Sequence, residues 1–199
     1  DMGVCYITLC HNGDNDICDS ARKTKHEHNG LSDFGREVVR EMNRLGVMVD
    51  ISHAAVSTVR DVLQISSAPV VASHSSSRAL CNHTRNLTDE DALAIARSGG
   101  VVQVCLYAGF ISEQEEEGSV QHAADHIDHF VRLLGIEHVG VGSDFDGDGE
   151  LVGCRGANDL INLTVELLRR GYTRDQLGLL WGENFLRAMQ NVQQKAKCQ

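Results

Sequence analysis

The chain has 199 residues, of which 42% are apolar and 23% charged, a composition typical of one globular domain that would span residues 1–199. Eighteen Lys and Arg residues stand against 28 Asp and Glu residues, giving a formal charge of −10. This charge argues against a nucleic-acid partner, which requires a basic surface. No run of about 18 apolar residues occurs, so the sequence predicts no membrane span.

The cysteine pattern argues against a disulfide framework and against a thiolate zinc site. There are seven cysteines, an odd number, and no Cys-x-x-Cys pair. Several lie inside apolar runs, where a cysteine serves as a small buried hydrophobic residue. The compartment stays open between cytoplasmic and exported, and the cysteine usage favours the cytoplasm.

Five short apolar runs recur along the chain, each followed by a polar residue and then by a helical pattern. They are YITLC (6–10), VMVDIS (47–52), PVVAS (69–73), GVVQVCLY (100–107) and HVGVGS (138–143). Strands that alternate with helices predict an α/β fold with a parallel sheet and helical crossovers, either an open doubly wound sheet or a barrel. No Gly-x-Gly-x-x-Gly follows the first run, which disfavours the nucleotide-binding open sheets.

The helices between these runs carry recognisable end signals. Ser32 is a predicted N-cap, and Gly46 is placed to end the helix that follows it. Thr173 and Gln176 predict a capping box at the start of the last helix. The predicted buried face of the first helix consists of four apolar residues at helical spacing, Phe34, Val38, Met42 and Leu45.

Three histidines share one face of a helix predicted from Val120 to Leu134. His122, His126 and His129 have the spacing of a surface metal site, and they also have the spacing of residues that pack against the sheet. Packing is the more common role for histidines on such a face, and the sequence leaves both readings open.

The candidate functional residues all follow the carboxyl ends of predicted strands. His11, His53, His74 and Asp144 come directly after four different apolar runs. In a barrel these ends form one rim, where active sites are built. Three imidazoles and a carboxylate on one rim indicate a transition-metal site, and proton-transfer histidines are the alternative.

At these residues the sequence resembles the renal (membrane) dipeptidase family, a binuclear zinc branch of the amidohydrolase-like barrels. The matching segments occur in the order of the family and cover nearly the whole chain. They are YITLCHNGDNDICDS, GLSDFGREVVREMNRLGVMVDISH, APVVASHSSSRAL with NHTRN, HIDHFVRLLGIEHVGVGSDFDG and WGENFLRAM. The resemblance implies a TIM-like (β/α)8 barrel and zinc-dependent hydrolysis of dipeptides that have a free C-terminal carboxylate.

The resemblance also implies a role for each candidate residue. His53 and His74 correspond to the two histidine ligands of the second zinc, and His11 to the histidine that donates to the scissile carbonyl oxygen. Arg85 corresponds to the residue that binds the substrate carboxylate, and Asp144 to the acid that passes a proton to the leaving amine. Because family members are often dimeric, a homodimer is a further expectation.

One part of the family pattern has no counterpart in this sequence. The family has a His-x-Asp pair on its first strand and a bridging Glu on a strand before the residue that matches His11, and only ten residues precede His11 here. We therefore expect the chain to correspond to the C-terminal portion of the barrel, about five βα units. With two histidine ligands, the chain alone is expected to hydrolyse dipeptides poorly. The alternatives are a related metallohydrolase of another amide or lactam and a non-catalytic fragment that needs the N-terminal half.

Overall fold

The computed structural model describes residues 3–147 and 149–197, and it contains one five-stranded sheet whose strands are all parallel. The strands are Tyr6–Thr8 (β1), Met48–Asp50 (β2), Val70–Ala72 (β3), Val101–Cys105 (β4) and Val139–Gly142 (β5). They lie side by side in chain order. This order confirms the five predicted strands, and it is the order of a barrel rather than of a doubly wound sheet, in which the order reverses.

Helices follow every strand and pack against their neighbours in sequence. They are Asp33–Leu45 (α1), Val56–Ile65 (α2), Asp89–Arg97 (α3), Ala108–Ile111 (α4), Val120–Leu134 (α5), Leu160–Arg169 (α6), Arg174–Gly178 (α7) and Asn184–Ala196 (α8). α1 contacts α2, α2 contacts α3, α3 contacts α5, and α5 contacts α6. The central strands β2 and β3 are buried along their whole length, as expected when both faces of a sheet are covered. No helix among the described residues combines the length and apolarity that a membrane span requires.

The sheet is rolled, and Gly142 shows this directly. A Cβ atom at Gly142 would lie 1.9 Å from the backbone oxygen of Ser73, although β4 separates β5 from β3. Two non-neighbouring strands can approach this closely only across the inside of a curved sheet. Because glycine has no Cβ, the ends of β3 and β5 meet, and this contact brings their following loops together.

The helix-end signals are confirmed at both ends of α1. The Ser32 hydroxyl accepts the backbone N–H of Gly35, and Gly46 ends the helix with a φ of 74°. Thr173 and Gln176 form the predicted capping box at the start of α7. The last predicted helix is interrupted, because Gly182 has a φ of 158° within a π turn that joins α7 to α8.

The predicted buried face of α1 was wrong at its ends. Phe34 and Leu45 are 56% and 57% exposed, and the inward residues are Gly35, Val39, Met42 and Asn43. The reason is a close contact at Gly35, where a Cβ would lie 2.0 Å from the backbone oxygen of Ile17. This contact with the preceding loop turns the helix so that its terminal apolar residues face outward.

Five of the described cysteines are buried and none is paired. Cys5 is exposed, and Cys10, Cys18, Cys81, Cys105 and Cys154 are buried free thiols. Cys198 lies outside the described residues. The positions of Cys10 and Cys105 in apolar runs thus predicted their burial correctly, whereas the same prediction was wrong for Cys5, which precedes the edge strand β1.

His126 is a packing residue that joins two loops. It is 1% exposed, its Nδ1 accepts the backbone N–H of Ser77 at 2.9 Å, and its Nε2 donates to the backbone oxygen of Ile111 at 3.1 Å. Both ring nitrogens are occupied by protein partners, so neither is free to bind a metal. Since Ser77 belongs to the loop after β3, His126 helps to hold the loop that carries His74 and Arg85.

We expect this histidine to make the fold sensitive to acid. Burial lowers the pKa of His126 to about 4, from about 6.5 in the unfolded chain. The unfolded state then binds the proton first as the pH falls, so the free energy of unfolding decreases between pH 6.5 and pH 4. The loss attributable to His126 is about 3 kcal/mol. Urea unfolding across this range should show a shallower pH slope for His126→Gln.

The control for this measurement is His122→Gln on the same helix. Its Nδ1 contacts only the nearby Ser119 hydroxyl, at 2.9 Å, and the residue is half-buried. The remaining histidines contribute equally to all three proteins, so the difference in slope isolates His126. An identical slope in wild type and His126→Gln would contradict the prediction.

Candidate metal and substrate site

The structure brings the predicted rim residues together at one open end of the rolled sheet, the mouth, where the carboxyl ends of the strands lie. His11 follows β1 by three residues, His53 follows β2 by three, and His74 follows β3 by two. Asp144 follows β5 by two residues. Parallel strands end on the same edge of a sheet, so this spacing alone gathers the four side chains.

Three imidazoles form a row across this mouth. The rings of His11 and His53 lie 4.1 Å apart between centroids, and those of His53 and His74 lie 4.9 Å apart. The two Nε2 atoms of His53 and His74 face each other at 2.8 Å. On the far side of each ring, Nδ1 of His53 lies 3.2 Å from Oδ1 of Asn12 and Nδ1 of His74 lies 2.8 Å from the hydroxyl of Ser73.

Burial keeps this histidine pair neutral. It lowers the pKa of His53 to about 2, and it also lowers the pKa of His74. Neutral imidazole is the form that binds metals, and its unprotonated nitrogen is the ligand atom. Two neutral rings with converging Nε2 atoms therefore fit a divalent cation. Among the described residues, no third His, Cys, Asp or Glu ligand atom lies within 4.8 Å of both nitrogens.

Two of the rim residues have a backbone conformation that side-chain-bearing residues rarely adopt. His53 has a φ of 69° and Asp144 a φ of 57°. Residues in this region typically cost about 1–3 kcal/mol each and persist where the surroundings hold them. The backbone oxygen of His53 accepts the N–H of Ala21 at 2.7 Å, and that of Asp144 accepts the N–H of Gly149 at 2.7 Å. Strain at these positions is typical of functional sites.

Arg85 is a buried cation that has no carboxylate partner among the residues the structure describes. It is 3% exposed, its Nε has no hydrogen-bond partner, and its Nη2 donates to the backbone oxygen of His74 at 3.4 Å. Its guanidinium lies 5.3 Å from the ring centroid of Phe110. Burial lowers the pKa of Arg85 from its usual value. Because a buried charge is normally paired, its free donors indicate an anionic ligand.

Two cavities meet at the row of histidines. The larger, of about 840 Å³, runs along the inside of the rolled sheet, and the smaller, of about 190 Å³, lies between Arg85 and Phe110. His11, His53 and Asp144 line both. A ligand that bridges the two cavities would therefore place its middle at the rim residues and its anionic end at Arg85.

Sequence reasoning missed several residues that support the site. The thiol of buried Cys105, at the end of β4, donates to Oδ2 of Asp144 at 3.5 Å. Asp50, at the end of β2, is fully buried and accepts hydrogen bonds from two neighbouring strand ends. A carboxylate inside an otherwise apolar strand is costly unless it is paired, and this signal in VMVDIS could have identified Asp50.

Comparison with known proteins finds relatives that are named dipeptidases. The dipeptidase aclJ of Aspergillus oryzae is 39% identical over 201 residues, covering 99% of this chain and 47% of that protein. The probable dipeptidase PvdM of Pseudomonas aeruginosa superimposes with a TM-score of 0.91 at 29% identity, covering 96% of this chain and 63% of that chain. A metallo peptidase of Rhodobacter sphaeroides, liganded with a phosphinate mimic of the dipeptide L-Ala-D-Ala, matches with a TM-score of 0.79 at 35% identity, covering 82% and 48%.

These matches extend over most of the present chain and over part of each relative. The chain spans about half the length of the curated relatives it matches. The sequence model of the membrane dipeptidases, peptidase family M19, matches residues 1–199. The rim residues thus lie in a chain that belongs, over its full length, to the membrane dipeptidase family M19.

Proposed function

We propose that this chain carries the histidine and carboxylate-binding part of a zinc-dependent dipeptidase site. The observation that carries the proposal is the buried Arg85, whose Nε has no hydrogen-bond partner among the described residues, beside the converging Nε2 atoms of His53 and His74. A dipeptide is short enough for its C-terminal carboxylate and its single peptide bond to reach these two features together. The dipeptidase names of the relatives support the same substrate class.

Each residue has a chemical task in this proposal. His53 and His74 hold zinc, which when bound supplies hydroxide at neutral pH by lowering the pKa of coordinated water. Arg85 binds both oxygens of the substrate carboxylate through its planar fork. His11, exposed at the junction of the cavities, donates to the carbonyl oxygen as negative charge develops on it, an interaction worth roughly 3–4 kcal/mol. Asp144 accepts a proton and passes it to the leaving amine.

A second candidate follows from the open edge of β1. Within the described part of the chain this strand pairs with β2 alone, and its residues Tyr6 and Ile7 are exposed. An unpaired strand edge is a site for another strand, and catalytic zinc usually has three protein ligands rather than two. In this candidate the chain is catalytic only when a further polypeptide segment pairs along β1 and completes the ligand set.

Zinc content and substrate selectivity of the purified chain test both candidates. We expect the chain alone to hydrolyse a dipeptide slowly, in a chelator-sensitive reaction that zinc restores and that is absent for the same dipeptide amidated at its C-terminus. Equal turnover of the amidated form would contradict the carboxylate-binding role of Arg85, and preferred turnover of a lactam or an N-acyl amino acid would indicate a related metallohydrolase. No turnover, with less than one zinc per chain, favours the second candidate.

A further inference from the structure

The buried carboxylate of Asp50 lies behind the candidate metal ligand His74, at the centre of a hydrogen-bond network. Its Oδ1 accepts the backbone N–H groups of Ser52 at 3.0 Å and of Ser73 at 2.9 Å. Its Oδ2 accepts the hydroxyls of Thr8 and Ser73, both at 2.6 Å. Asp50 is fully buried and thus accepts four hydrogen bonds, from Thr8 of β1, from Ser52 after β2 and from Ser73 after β3.

The hydrogen bonds of this network determine which nitrogen of the His74 ring carries the proton. A carboxylate only accepts hydrogen bonds, and Oδ2 of Asp50 at 2.6 Å is much nearer to the Ser73 oxygen than the Ser52 hydroxyl at 3.3 Å, so the single proton of the Ser73 hydroxyl points to Asp50. The same Ser73 oxygen lies 2.8 Å from Nδ1 of His74 and has no second proton to give. It must therefore accept, and Nδ1 must carry the ring proton. The Nε2 of neutral His74 is then left with its lone pair directed into the mouth.

From this geometry we propose that Asp50, acting through Ser73, is a positioning residue that fixes the metal-binding tautomer of His74. The proposal rests on the metal site of the proposed function, and neither Asp50 nor Ser73 was assigned a role by the sequence. Hydrogen-bonded partners behind a ligating histidine generally fix its tautomer, and their loss typically costs 10–100-fold in metal affinity. Here the link has two steps, carboxylate to hydroxyl to imidazole.

His53 is held in the same tautomer as His74, through a different hydrogen-bond partner. Nδ1 of His53 faces the amide oxygen of Asn12 at 3.2 Å, and an amide oxygen accepts. His53 therefore also carries its proton on Nδ1. The two Nε2 lone pairs then meet at 2.8 Å, an arrangement that is repulsive unless a cation lies between them. Both supporting networks thus favour a cation at the same point.

The variant Asp50→Asn should reverse the direction of the whole chain of hydrogen bonds. The two backbone N–H groups at Oδ1 require an acceptor there, so the new amide must place its NH2 at the Oδ2 position. The NH2 then donates to Ser73, whose proton turns to Nδ1 of His74. The ring proton moves to Nε2, where it blocks metal binding. Ser73→Ala removes the link without reversing it, and Ser73→Thr keeps the hydroxyl.

The test is the His74 tautomer in the metal-free 199-residue chain, observed by long-range ¹H–¹⁵N correlation of ¹⁵N-histidine-labelled protein. The His74 signals are assigned by their loss in His74→Gln. We expect a proton on Nδ1 in wild type and Ser73→Thr, a proton on Nε2 in Asp50→Asn, and a mixture in Ser73→Ala. The zinc Kd should rise 10–100-fold in Asp50→Asn and less in Ser73→Ala.

A matched control is Ser76→Ala in the same loop, because the buried Ser76 hydroxyl donates to the backbone oxygen of Cys105 and lies outside the network. It should retain the wild-type tautomer. A proton on Nε2 in wild type, or an unchanged tautomer in both Asp50→Asn and Ser73→Ala, would overturn the proposal even if the protein hydrolyses dipeptides. A tautomer reversal in a chain that neither binds zinc nor cleaves dipeptides would instead leave the tautomer proposal standing and count against the first candidate function in favour of the second. If Asp50→Asn does not fold, Ser73→Ala decides.

Discussion

Replacing His53 with alanine is expected to weaken zinc binding by two to three orders of magnitude. Structural zinc sites with four ligands are worth roughly 10–16 kcal/mol, so one imidazole contributes about 3–4 kcal/mol. The effect should be large here because the Nε2 atoms of His53 and His74 converge at 2.8 Å, so removal of either leaves a single imidazole at this point. His74→Ala should have an effect of the same size. Competition with a chromogenic chelator measures the zinc Kd of each variant.

The control for these variants is His122→Ala, since His122 lies on α5 and contacts Ser119 rather than the mouth. It should bind zinc like the wild type. The double variant His53→Ala with His74→Ala should bind zinc little more weakly than either single variant, because one remaining imidazole is a poor site. If each single variant keeps zinc within tenfold of the wild type, the assignment of the pair as ligands is wrong.

Replacing Arg85 with methionine is expected to weaken ligand binding without lowering the free energy of unfolding. The guanidinium is buried without a carboxylate, so methionine of similar length should leave the free energy of unfolding unchanged or raise it by about 1–2 kcal/mol. The Kd of a hydrolysis-resistant dipeptide analogue should rise on the order of 100-fold, since a charge-assisted pair in a desolvated site is worth roughly 2–5 kcal/mol. Calorimetric titration and urea unfolding measure the two effects.

The ligand itself supplies a control for this experiment. The same analogue amidated at its C-terminus should bind wild type and Arg85→Met equally weakly, because it lacks the carboxylate. Arg97→Met, at the exposed end of α3, should change neither Kd. A loss of affinity for the amidated analogue as large as for the free acid would show that Arg85 acts through the fold rather than through the carboxylate.

The sequence predicted the layout of the rim because this layout depends on local signals. A parallel strand is recognisable as a short apolar run. The polar residue that follows the run must lie at the edge of the sheet where the carboxyl ends of the strands meet. His11, His53, His74 and Asp144 could therefore be grouped without any knowledge of distances. The five strands and the capping box at Thr173 were predictable for the same reason, since each depends on residues close in the chain.

The features that were not predicted depend on contacts between distant residues. The tilt of α1 follows from the contact of Gly35 with Ile17, and the closeness of β3 and β5 follows from Gly142 against Ser73. The role of Asp50 appears only when the ends of β2 and β3 are brought side by side. A single sequence contains no local pattern for such contacts. The carboxylate within VMVDIS marks Asp50 as unusual, but its hydrogen-bond partners were found only in the structure.

Because most of the described thiols are buried, their alkylation rates measure how often each part of the folded chain opens locally. An alkylating reagent can reach Cys5 in the folded protein, whereas Cys105 is enclosed beneath Asp144. The rate at which Cys105 is alkylated is therefore set by how often the structure around Asp144 opens. Local opening events of this kind cover a wide range of free energies within one protein. Mass spectrometry of progressively alkylated protein would map which thiols open together, without any introduced label.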